Sequence, residues 1–445
     1  MLLKFSCKNF KSFRDGFDFS MKPEKRMNEL KDSILKENAP NLDEEAIAAS
    51  VIYGPNAAGK TSVVNAMSCL RQIVMWGNIQ DAAGGISGDR VNRCMNSCPF
   101  AFSDETAPVE FDVTFTNNGF KYRYVLAMML GLFHDETAER YVSRELLYVN
   151  DDLIFDRNRD QVAELRLTTV SEWLNVGYEI STEENTRRLM SNNLVHDCLL
   201  LTTDFNSFCS KKIVREITSW FKEKFIIFNQ PITLSYHSGN KICSELDLIK
   251  KYINRIVKEA GIIGTSFAYD TDNDSKFAKL ISVIRRNDDK LFGMDVSAIE
   301  SAGTIRFISI IPIIIAALKR GAVIVMDEFD TSLHPMITMN LITLFHNSRV
   351  NKKGAQLIFN TQNPIYLNNK LLRRDEIKFV ERDKRTKSSS LYALSDFRAN
   401  DRASVRNTSD YMKNYFACRY GAIEDIDFTD IIEEIVTGSD PNTLD

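Results

Sequence analysis

The chain has 445 residues, of which 44% are hydrophobic and 26% are charged, a composition typical of a folded globular protein. Its 56 Lys and Arg against 60 Asp and Glu give a formal net charge of −4, which excludes a global basic excess able to hold a polyanion but not a local basic patch. The longest apolar stretch, residues 307–318, has 12 residues and contains Pro312. It is too short for a membrane span, which needs about 20 residues. Because the sequence also shows no apolar signal segment, we expect a cytoplasmic protein without a membrane partner.

The amino-terminal part of the chain predicts strands that lead into one helix. Residues 2–21 are typical of two short strands joined by a turn at 14–16. Residues 22–47, rich in Lys, Glu, Asn and Asp, favour a mobile or helical surface insertion. Residues 48–53 form a short run that indicates a buried strand, which leads into a glycine-containing segment and then a helix expected to continue to about Met75.

Two hairpins are predicted next. Apolar residues alternate with polar ones over 109–116, Asn118-Gly119 is a strong turn signal, and the alternation resumes over 120–126. The same pattern recurs over 144–157 around a turn at 150–152. An antiparallel sheet is therefore expected beside the first buried strand.

The middle of the chain, from about 160 to 290, is predicted to be helical and charged, without a sustained heptad. Strands and helices alternate again from about 295 onward. The sequence therefore predicts one α/β domain, with a mixed central sheet and an antiparallel subsheet, interrupted by a helical insertion. The expected units are the amino-terminal half of the domain at 1–160, the insertion at 161–292, the carboxy-terminal half at 293–435 and a disordered tail at 436–445.

A complete GxxxxGK[ST] pattern follows the buried strand and precedes the expected helix. Its residues, with the serine that follows, are Gly54, Pro55, Asn56, Ala57, Ala58, Gly59, Lys60, Thr61 and Ser62. Such a loop turns backbone N–H groups toward phosphate oxygens at a helix amino terminus. Lys60 would pair with the β- and γ-phosphates of ATP, and Thr61 would ligate Mg²⁺. The alternative is a Gly-rich turn with an exposed lysine.

A second apolar strand, residues 323–326, ends in two carboxylates. Ligands of α/β folds bind at this end of the strands. Asp327 is predicted to hold Mg²⁺ through water, and Glu328 to accept a proton from the attacking water or to orient it. Alone, such a strand often only marks a loop, but together with the first motif it favours catalysis.

The spacing of the motifs distinguishes classes of P-loop protein. Lys60 and Asp327 lie 267 positions apart (327 − 60), more than a compact AAA+ module or a small kinase would leave. Upstream, Ser301 and Gly303 open an expected helix and would offer a hydroxyl, backbone N–H groups and a helix dipole to an anion. That anion could be the γ-phosphate held by a second copy of the chain.

These segments resemble ABC ATPases of the RecF/SMC type, whose head domain is split by an insertion. The resemblance lies in 8–13 (KNFKSF), 301–304 (SAGT, a degenerate signature loop), 328–335 (EFDTSLHP, the catalytic glutamate and D-loop) and 415–422. It covers about 1–160 and 290–425, and it is greatest with the smaller ATPases of abortive-infection and other anti-phage systems, such as those of PARIS, Septu and the OLD group.

The resemblance implies an ABC-type head that binds ATP and Mg²⁺ and forms a homodimer or higher oligomer when ATP is bound. ATP would lie between the P-loop of one copy and Ser301–Gly303 of the next, and hydrolysis through Glu328 would release the contact. It also implies a partner, a separately encoded effector such as a nuclease or a toxin.

Gln362 departs from the family pattern, which usually has a histidine at this position in contact with the γ-phosphate. A glutamine amide can donate a hydrogen bond but cannot become cationic. Slow hydrolysis, as in a timer, is therefore favoured over a fast motor. Two alternatives stay open: Gln362 only caps a loop, or the protein is a scaffold that uses ATP as a structural ligand.

Two basic patches leave nucleic-acid binding open. Lys211, Lys212 and Arg215 begin one expected helix, and the second patch consists of Arg373, Arg374, Arg382, Lys384, Arg385 and Lys387. Either patch could contact phosphates, as in a DNA-repair ATPase resembling RecF. Acidic residues are interleaved with both, however, and most charge runs are solvated faces.

Overall fold

In the computed structural model, the described residues are 1–25, 27, 29–39, 42–80, 98–133, 135, 137–228, 236–237, 246–262, 265–271, 277–285, 290–397, 409–424 and 426–437. The strands among them are β1 Leu2–Lys8, β2 Phe17–Ser20, β3 Ile34–Ala39, β4 Leu42–Ile47, β5 Ala49–Tyr53, β6 Val109–Asn117, β7 Phe120–Met129, β8 Tyr141–Val149, β9 Asp152–Asn158, β10 Val162–Leu165, β11 Phe225–Phe228, β12 Tyr236–His237, β13 Ser266–Thr271, β14 Phe277–Arg285, β15 Leu291–Asp295, β16 Val323–Met326, β17 Gln356–Asn360, β18 Ile377–Arg382 and β19 Ser389–Ala393. The α-helices are α1 Lys60–Trp76, α2 Glu183–Asn192, α3 Lys211–Ser219, α4 Leu246–Glu259, α5 Val296–Ile299, α6 Ala302–Arg320, α7 Pro335–His346, α8 Tyr411–Phe416 and α9 Thr429–Thr437.

The central sheet has six strands in the order β11-β16-β17-β5-β18-β19. The first five are parallel, and β19 is antiparallel to β18. Strand β17 lies between β5, which leads into the P-loop, and β16, which leads into Asp327 and Glu328. The loops after these three strands therefore leave the same edge of the sheet, where α/β folds bind ligands.

A seven-stranded sheet in the order β10-β9-β8-β7-β6-β1-β2 covers one side of the molecule. Every neighbouring pair in it is antiparallel, so both predicted hairpins and the strand–turn–strand opening are confirmed. Helix α1 contributes its apolar face to the core cluster that this sheet forms with the central sheet. The buried side chain of Gln356 joins the two sheets, because its amide donates to the carbonyls of Leu2 and Ile47.

A second core cluster covers the opposite face of the central sheet and includes α6, α7 and α8. Helix α6 has 19 residues, so by length and composition it could cross a membrane, and the contiguous apolar run in the sequence understated its length. However, 61% of its apolar window is buried inside the protein, with Arg306 and Pro312 among the buried residues. A core helix passes the same test of length and composition, and the packing of α6 is that of a core helix.

The prediction of a mobile or helical insertion at 22–47 was wrong for its second half, where β3 and β4 form an antiparallel hairpin. Leu35 and Ala46 pair across this hairpin and are buried, whereas the neighbouring pair Lys36 and Glu45 forms an ion pair at 2.6 Å on the exposed side. The charged residues occupy one face of a half-buried hairpin, so composition alone concealed the alternation.

The prediction that 161–292 is helical was only partly right. Helices α2, α3 and α4 lie there, but β12 to β15 form an antiparallel sheet. In addition, β10 pairs with β9 of the seven-stranded sheet, and β11 pairs in parallel with β16 of the central sheet. The four apolar residues of β11 suit a buried strand and a buried helix turn equally. At the carboxy-terminal end, the predicted disordered tail overlaps α9, which continues to Thr437, while 438–445 lie outside the described residues.

Candidate nucleotide-binding site

The carboxyl edge of the central sheet opens into a cavity of about 1020 Å³. Its walls include residues 55–62 of the P-loop, Asp327 and Glu328 after β16, and 360–363 after β17. Lys11 and Ser12, from the turn between β1 and β2, line the same cavity. This volume is ample for a nucleotide, since small-molecule sites commonly enclose about 300–1,000 Å³.

The P-loop requires glycine at the position before α1. Gly59 has φ +114°, and a Cβ there would lie 2.6 Å from the hydroxyl of Ser12 and 2.8 Å from that of Ser389. Helix α1 then begins at Lys60, so its amino terminus points its free N–H groups at the loop. The segment folds as the motif predicts, because only a residue without a side chain tolerates both the dihedral angle and the crowding.

Lys60 is buried beneath the P-loop. Its Nζ donates to the carbonyls of Gly54 at 2.6 Å and Pro55 at 2.9 Å. Burial lowers the pKa of Lys60, while the nearby Asp327 and Glu328 carboxylates oppose that shift. The ammonium group is therefore held at the loop in a partly desolvated position, where a phosphate would offer stronger acceptors than carbonyl oxygens.

The two predicted magnesium ligands lie together. The Thr61 hydroxyl donates to Oδ1 of Asp327 at 3.3 Å, although the two residues are 266 positions apart in the chain. A hydroxyl and a carboxylate oxygen form the kind of oxygen donor set that Mg²⁺ takes beside substrate phosphates. The residues present therefore fit this ion.

Asn360 contacts the carboxylate of Asp327 and the backbone of Glu328, and it was not singled out from the sequence. Its amide Nδ2 donates to Oδ1 of Asp327, and its Oδ1 accepts from the backbone N–H of Glu328 at 2.6 Å. Asn360 is only 1% exposed and ends β17. A buried amide at the end of an apolar strand was the available signal, but its meaning depends on β17 lying beside β16.

Glu328 faces the cavity in an unusual backbone conformation. Its φ is +49°, in the left-handed region, and its side chain is exposed. The carbonyl of Glu328 accepts from Nη2 of Arg306, a buried residue of α6, at 3.2 Å. Nε and Nη1 of Arg306 are buried without a hydrogen-bond partner. Burial lowers the pKa of Arg306, and Glu328 and Asp330 oppose that shift.

The segment after Glu328 is tied to β17 and to α6. Thr361 donates its hydroxyl to Oδ2 of Asp330 at 2.8 Å, and burial raises the pKa of this carboxyl despite that bond. Gly303 lies against the backbone of Ser332, since a Cβ on Gly303 would come within 2.5 Å of the Ser332 carbonyl oxygen. The start of α6 and the predicted D-loop therefore form one packed unit.

Ser301 and Gly303 do not line the cavity that holds the other predicted site residues. Ser301 is exposed and caps α6, because its Oγ accepts from the backbone N–H of Thr304 at 3.2 Å. Gln362 is exposed and does line the cavity. The fold thus gathers the P-loop, Asp327, Glu328 and Gln362 at one cavity and leaves the predicted signature residues on a separate exposed surface.

The second predicted basic patch is divided by the fold. Arg373 is fully buried and binds Asp375 at 2.7 Å, and Arg374 binds Glu29 at 2.8 Å. Arg382 lines the nucleotide cavity, where its guanidinium lies 5.6 Å from the ring centre of Phe102. These cations therefore do not form one continuous surface for a nucleic acid.

The first predicted basic patch is exposed at the start of α3, where Lys211, Lys212 and Arg215 all face solvent. Lys212 also lies 4.5 Å from the ring centre of Trp173. Nucleic-acid contact stays a prediction for this patch.

A family model described as "AAA domain, putative AbiEii toxin, Type IV TA system" matches residues 49–189 and 214–368. The chain belongs to this family. No curated protein matches the chain. The match begins at β5, continues through the P-loop, and ends after the segment that contains Asn360 and Gln362. The protein is thus an ATPase-class P-loop protein, for which nucleotide binding is a family property.

Solved structures similar to the chain include SMC head domains. The SMC head domain from Thermotoga maritima is 14% identical, with coverage of 88% of this chain and 98% of that chain and a TM-score of 0.37. A Pyrococcus furiosus Smc head with an extended coiled coil, bound to the C-terminal domain of ScpA, is 13% identical, with coverage of 88% and 96% and a TM-score of 0.35. The family match, the P-loop between β5 and α1, and the parallel strands of the central sheet support the predicted fold class, a P-loop ATPase with a mixed central sheet and an antiparallel subsheet.

Proposed function

We propose that this protein hydrolyses ATP slowly and associates with further copies of itself while ATP is bound. The observation that supports this proposal is the division of the site. The P-loop, Asp327 and Glu328 share one cavity, whereas Ser301 stands exposed at the start of α6, outside that cavity. A second copy could present its Ser301 and the amino terminus of its α6 to a triphosphate in this cavity and so complete the site.

Within one copy, each residue has a defined task. Lys60 and the backbone N–H groups of the P-loop bind the phosphates, and Thr61 and Asp327 hold Mg²⁺. When bound, the ion neutralises phosphate charge. Glu328 orients the attacking water and accepts its proton, and Asn360 fixes Glu328 and Asp327 relative to each other. Ser301 and the N–H groups that begin α6 in the second copy would stabilise the negative charge that develops on the γ-phosphate.

Gln362 makes the proposed reaction slow. At the mouth of the cavity its amide can donate a hydrogen bond to a phosphate, but it carries no positive charge at any physiological pH. Slow hydrolysis would give the ATP-bound assembly a long lifetime, which suits a switch better than a motor.

The proposed output is control of a separately encoded effector in anti-phage defence, in the cytoplasm. The family description, which refers to an AbiEii toxin and a toxin–antitoxin system, supports such a setting. In this proposal, residues 161–292 without β10 and β11, which belong to the sheets of the head, form the insertion that passes the ATP state to the effector. The two flanking segments, with β10 and β11, form the ATPase head.

The test is the mass of the Glu328→Gln variant with and without ATP and Mg²⁺, measured by sedimentation velocity. The variant keeps the shape of the side chain but cannot accept a proton, so ATP should accumulate a species of at least twice the mass seen without ATP. Lys60→Ala in the same background is the matched control and should stay at the mass seen without ATP. An unchanged mass for Glu328→Gln, with ATP shown to be bound, would contradict the proposal.

Phosphate release by the wild-type protein tests the enzymatic part separately. We expect slow but measurable release that Glu328→Gln removes. ATP binding without phosphate release in any condition would instead indicate the scaffold, in which ATP is a structural ligand.

A further inference from the structure

Helix α9 exposes a complete apolar face. Its apolar side chains and that of Phe428, directly before the helix, are between 53% and 77% exposed; they are Phe428, Ile431, Ile432, Ile435 and Val436. The spacing i, i+3, i+4, i+7, i+8 places them on one side of the helix, the arrangement by which a surface helix normally contacts a core. A contiguous exposed apolar patch of this kind marks an interaction site.

The rest of α9 is acidic, and this restricts what can cover the apolar face. Asp430, Glu433 and Glu434 lie between the apolar positions and Asp427 directly precedes them, and no Lys or Arg lies between 420 and 445. Two α9 helices packed face to face would bring these like charges together. The favoured acceptor is therefore an apolar surface with a basic rim.

A surface of this chemistry lies on α8 and the short helical turn Pro364–Tyr366, which pack against each other. Its apolar side chains are 39% to 59% exposed; they are Ile365, Met412 and Phe416. Exposed cations lie on or near these segments: Lys413 is in α8, Arg419 follows it by three residues, and Lys370 follows the turn by four. One exposed carboxylate, Asp410, caps the start of α8, so the net charge of the surface is positive. We call this surface the α8 face.

We propose that α9 of one copy docks on the α8 face of a second copy, and that the exchange is reciprocal. Both elements stand exposed within a single chain, and their charges are opposite. Exchange of an identical element between copies is a low-cost route to a dimer.

The size of the contact favours the reciprocal form. Helix α9 is about 14 Å long, so one docked helix covers less than the roughly 1,600 Å² of a standard interface. A two-fold arrangement supplies the contact twice. The α8 face lies close to the nucleotide cavity in the chain, because Ile365 on this face follows Asn363 on the cavity wall by two residues.

This contact uses none of the residues of the proposed ATP-bound interface, so we expect it without nucleotide. The experiment uses the full chain in three forms without ATP, analysed by sedimentation velocity across a concentration series. The helix variant is Ile431→Glu with Ile435→Glu, and the face variant is Met412→Glu with Phe416→Glu. Because all four positions are exposed, both variants should fold, and unchanged thermal unfolding together with unchanged ATP binding checks that they do. Lys352→Ala, at an exposed position outside both α9 and the α8 face, is the control.

We expect a dimer for the wild-type chain and the control, and at least a tenfold weaker dimer for each variant alone. The deciding sample is an equimolar mixture of the two variants, in which each pair restores one intact helix on one intact face. Because the mixture restores one of the two contacts, its dimer should be weaker than the wild-type dimer but tighter than that of either variant alone, and this recovery supports docking between copies. A monomeric wild-type chain, a face variant that stays dimeric, or a mixture that associates no more tightly than either variant would each overturn it. Loss of the ATP-dependent mass change in Glu328→Gln leaves this nucleotide-free result intact, so the two proposals fail separately.

Discussion

The two halves of the proposed nucleotide site are built in different ways. The P-loop half is enclosed: Lys60 is buried, Gly59 is held between Ser12 and Ser389, and the whole loop faces a cavity of its own chain. The half that begins at Ser301 is displayed on an exposed surface, where the serine hydroxyl caps its own helix. One half can bind a triphosphate alone, whereas the other can act only on a ligand brought from outside.

The two halves are nevertheless linked inside one chain. Helix α6, which presents Ser301, also holds the carbonyl of Glu328 through Arg306, and its Gly303 packs on Ser332. A contact between Ser301 and a second copy could therefore shift α6 and, through Arg306, change the position of Glu328, whose backbone is in the left-handed region. If the two halves have these roles, ATP binding should depend on the P-loop half alone, and assembly should depend on both halves.

Lys60→Ala should have the largest effect, since it removes the only side-chain cation that the motif supplies to the phosphates. We expect at least a hundredfold weaker ATP binding, measured by isothermal titration calorimetry, together with loss of phosphate release. The exposed Lys352→Ala is the matched control and should bind like the wild type. Tight ATP binding by Lys60→Ala would contradict the assignment of residues 54–61 as the phosphate-binding loop.

Ser301→Asp should leave ATP binding intact and abolish assembly. Aspartate caps a helix as well as serine does, so α6 should keep its start, but a carboxylate would face the γ-phosphate of the second copy. We expect unchanged ATP affinity, no ATP-dependent rise in mass and about a hundredfold lower turnover.

Ser301→Asn is the control for this prediction, because it also caps α6 but adds no charge. It should retain ATP-dependent assembly. The proposal is contradicted if Ser301→Asp still assembles with ATP. It is also contradicted if Ser301→Asp weakens ATP binding to a single copy, because ATP binding would then depend on both halves of the site.

The sequence was sufficient for the enclosed half because the chemistry there is local. The apolar strand, the glycines and the helix start are contiguous, so one segment carries both the conformation and the function. The pairing of Thr61 with Asp327 was also predictable, because parallel strands bring their carboxyl ends to one edge.

The residues that the sequence did not reveal act through sheet order and helix packing. Asn360 has its role because β17 lies between β5 and β16, and Arg306 has its role because α6 crosses behind Glu328. Arg382 looked like part of a surface patch until the fold turned it toward the cavity. Likewise, β11 is a strand of the head because it pairs with β16, which its four residues alone do not indicate.

Asn360→Ala should weaken Mg²⁺-dependent steps while sparing nucleotide binding itself. The change frees Asp327 and leaves the backbone N–H of Glu328 without its acceptor. Loss of such supporting contacts commonly costs 10- to 100-fold in metal affinity or activity. We expect a loss of about that size in turnover and a higher Mg²⁺ requirement, with ATP affinity in the presence of EDTA unchanged. Asn363→Ala, in the same cavity-lining segment, is the control, and an equal loss there would contradict the role given to Asn360.

Gln362→His should have the smallest effect, and its pH dependence is the informative part. Imidazole has an ordinary pKa of about 6.5, so the variant carries a positive charge at this position below that pH and is neutral above it. If position 362 contacts the γ-phosphate, charge there should stabilise the transition state, and the turnover of Gln362→His relative to wild type should rise a few-fold as the pH falls from 8 to 6. Gln362→Met, which fills similar space without a donor, should show no such rise in its ratio to wild type. If the turnover ratio of Gln362→His to wild type stays constant over this range, position 362 does not contact the γ-phosphate and Gln362 only caps a loop. Slow turnover would then be caused by the assembly step rather than by the enclosed half of the site.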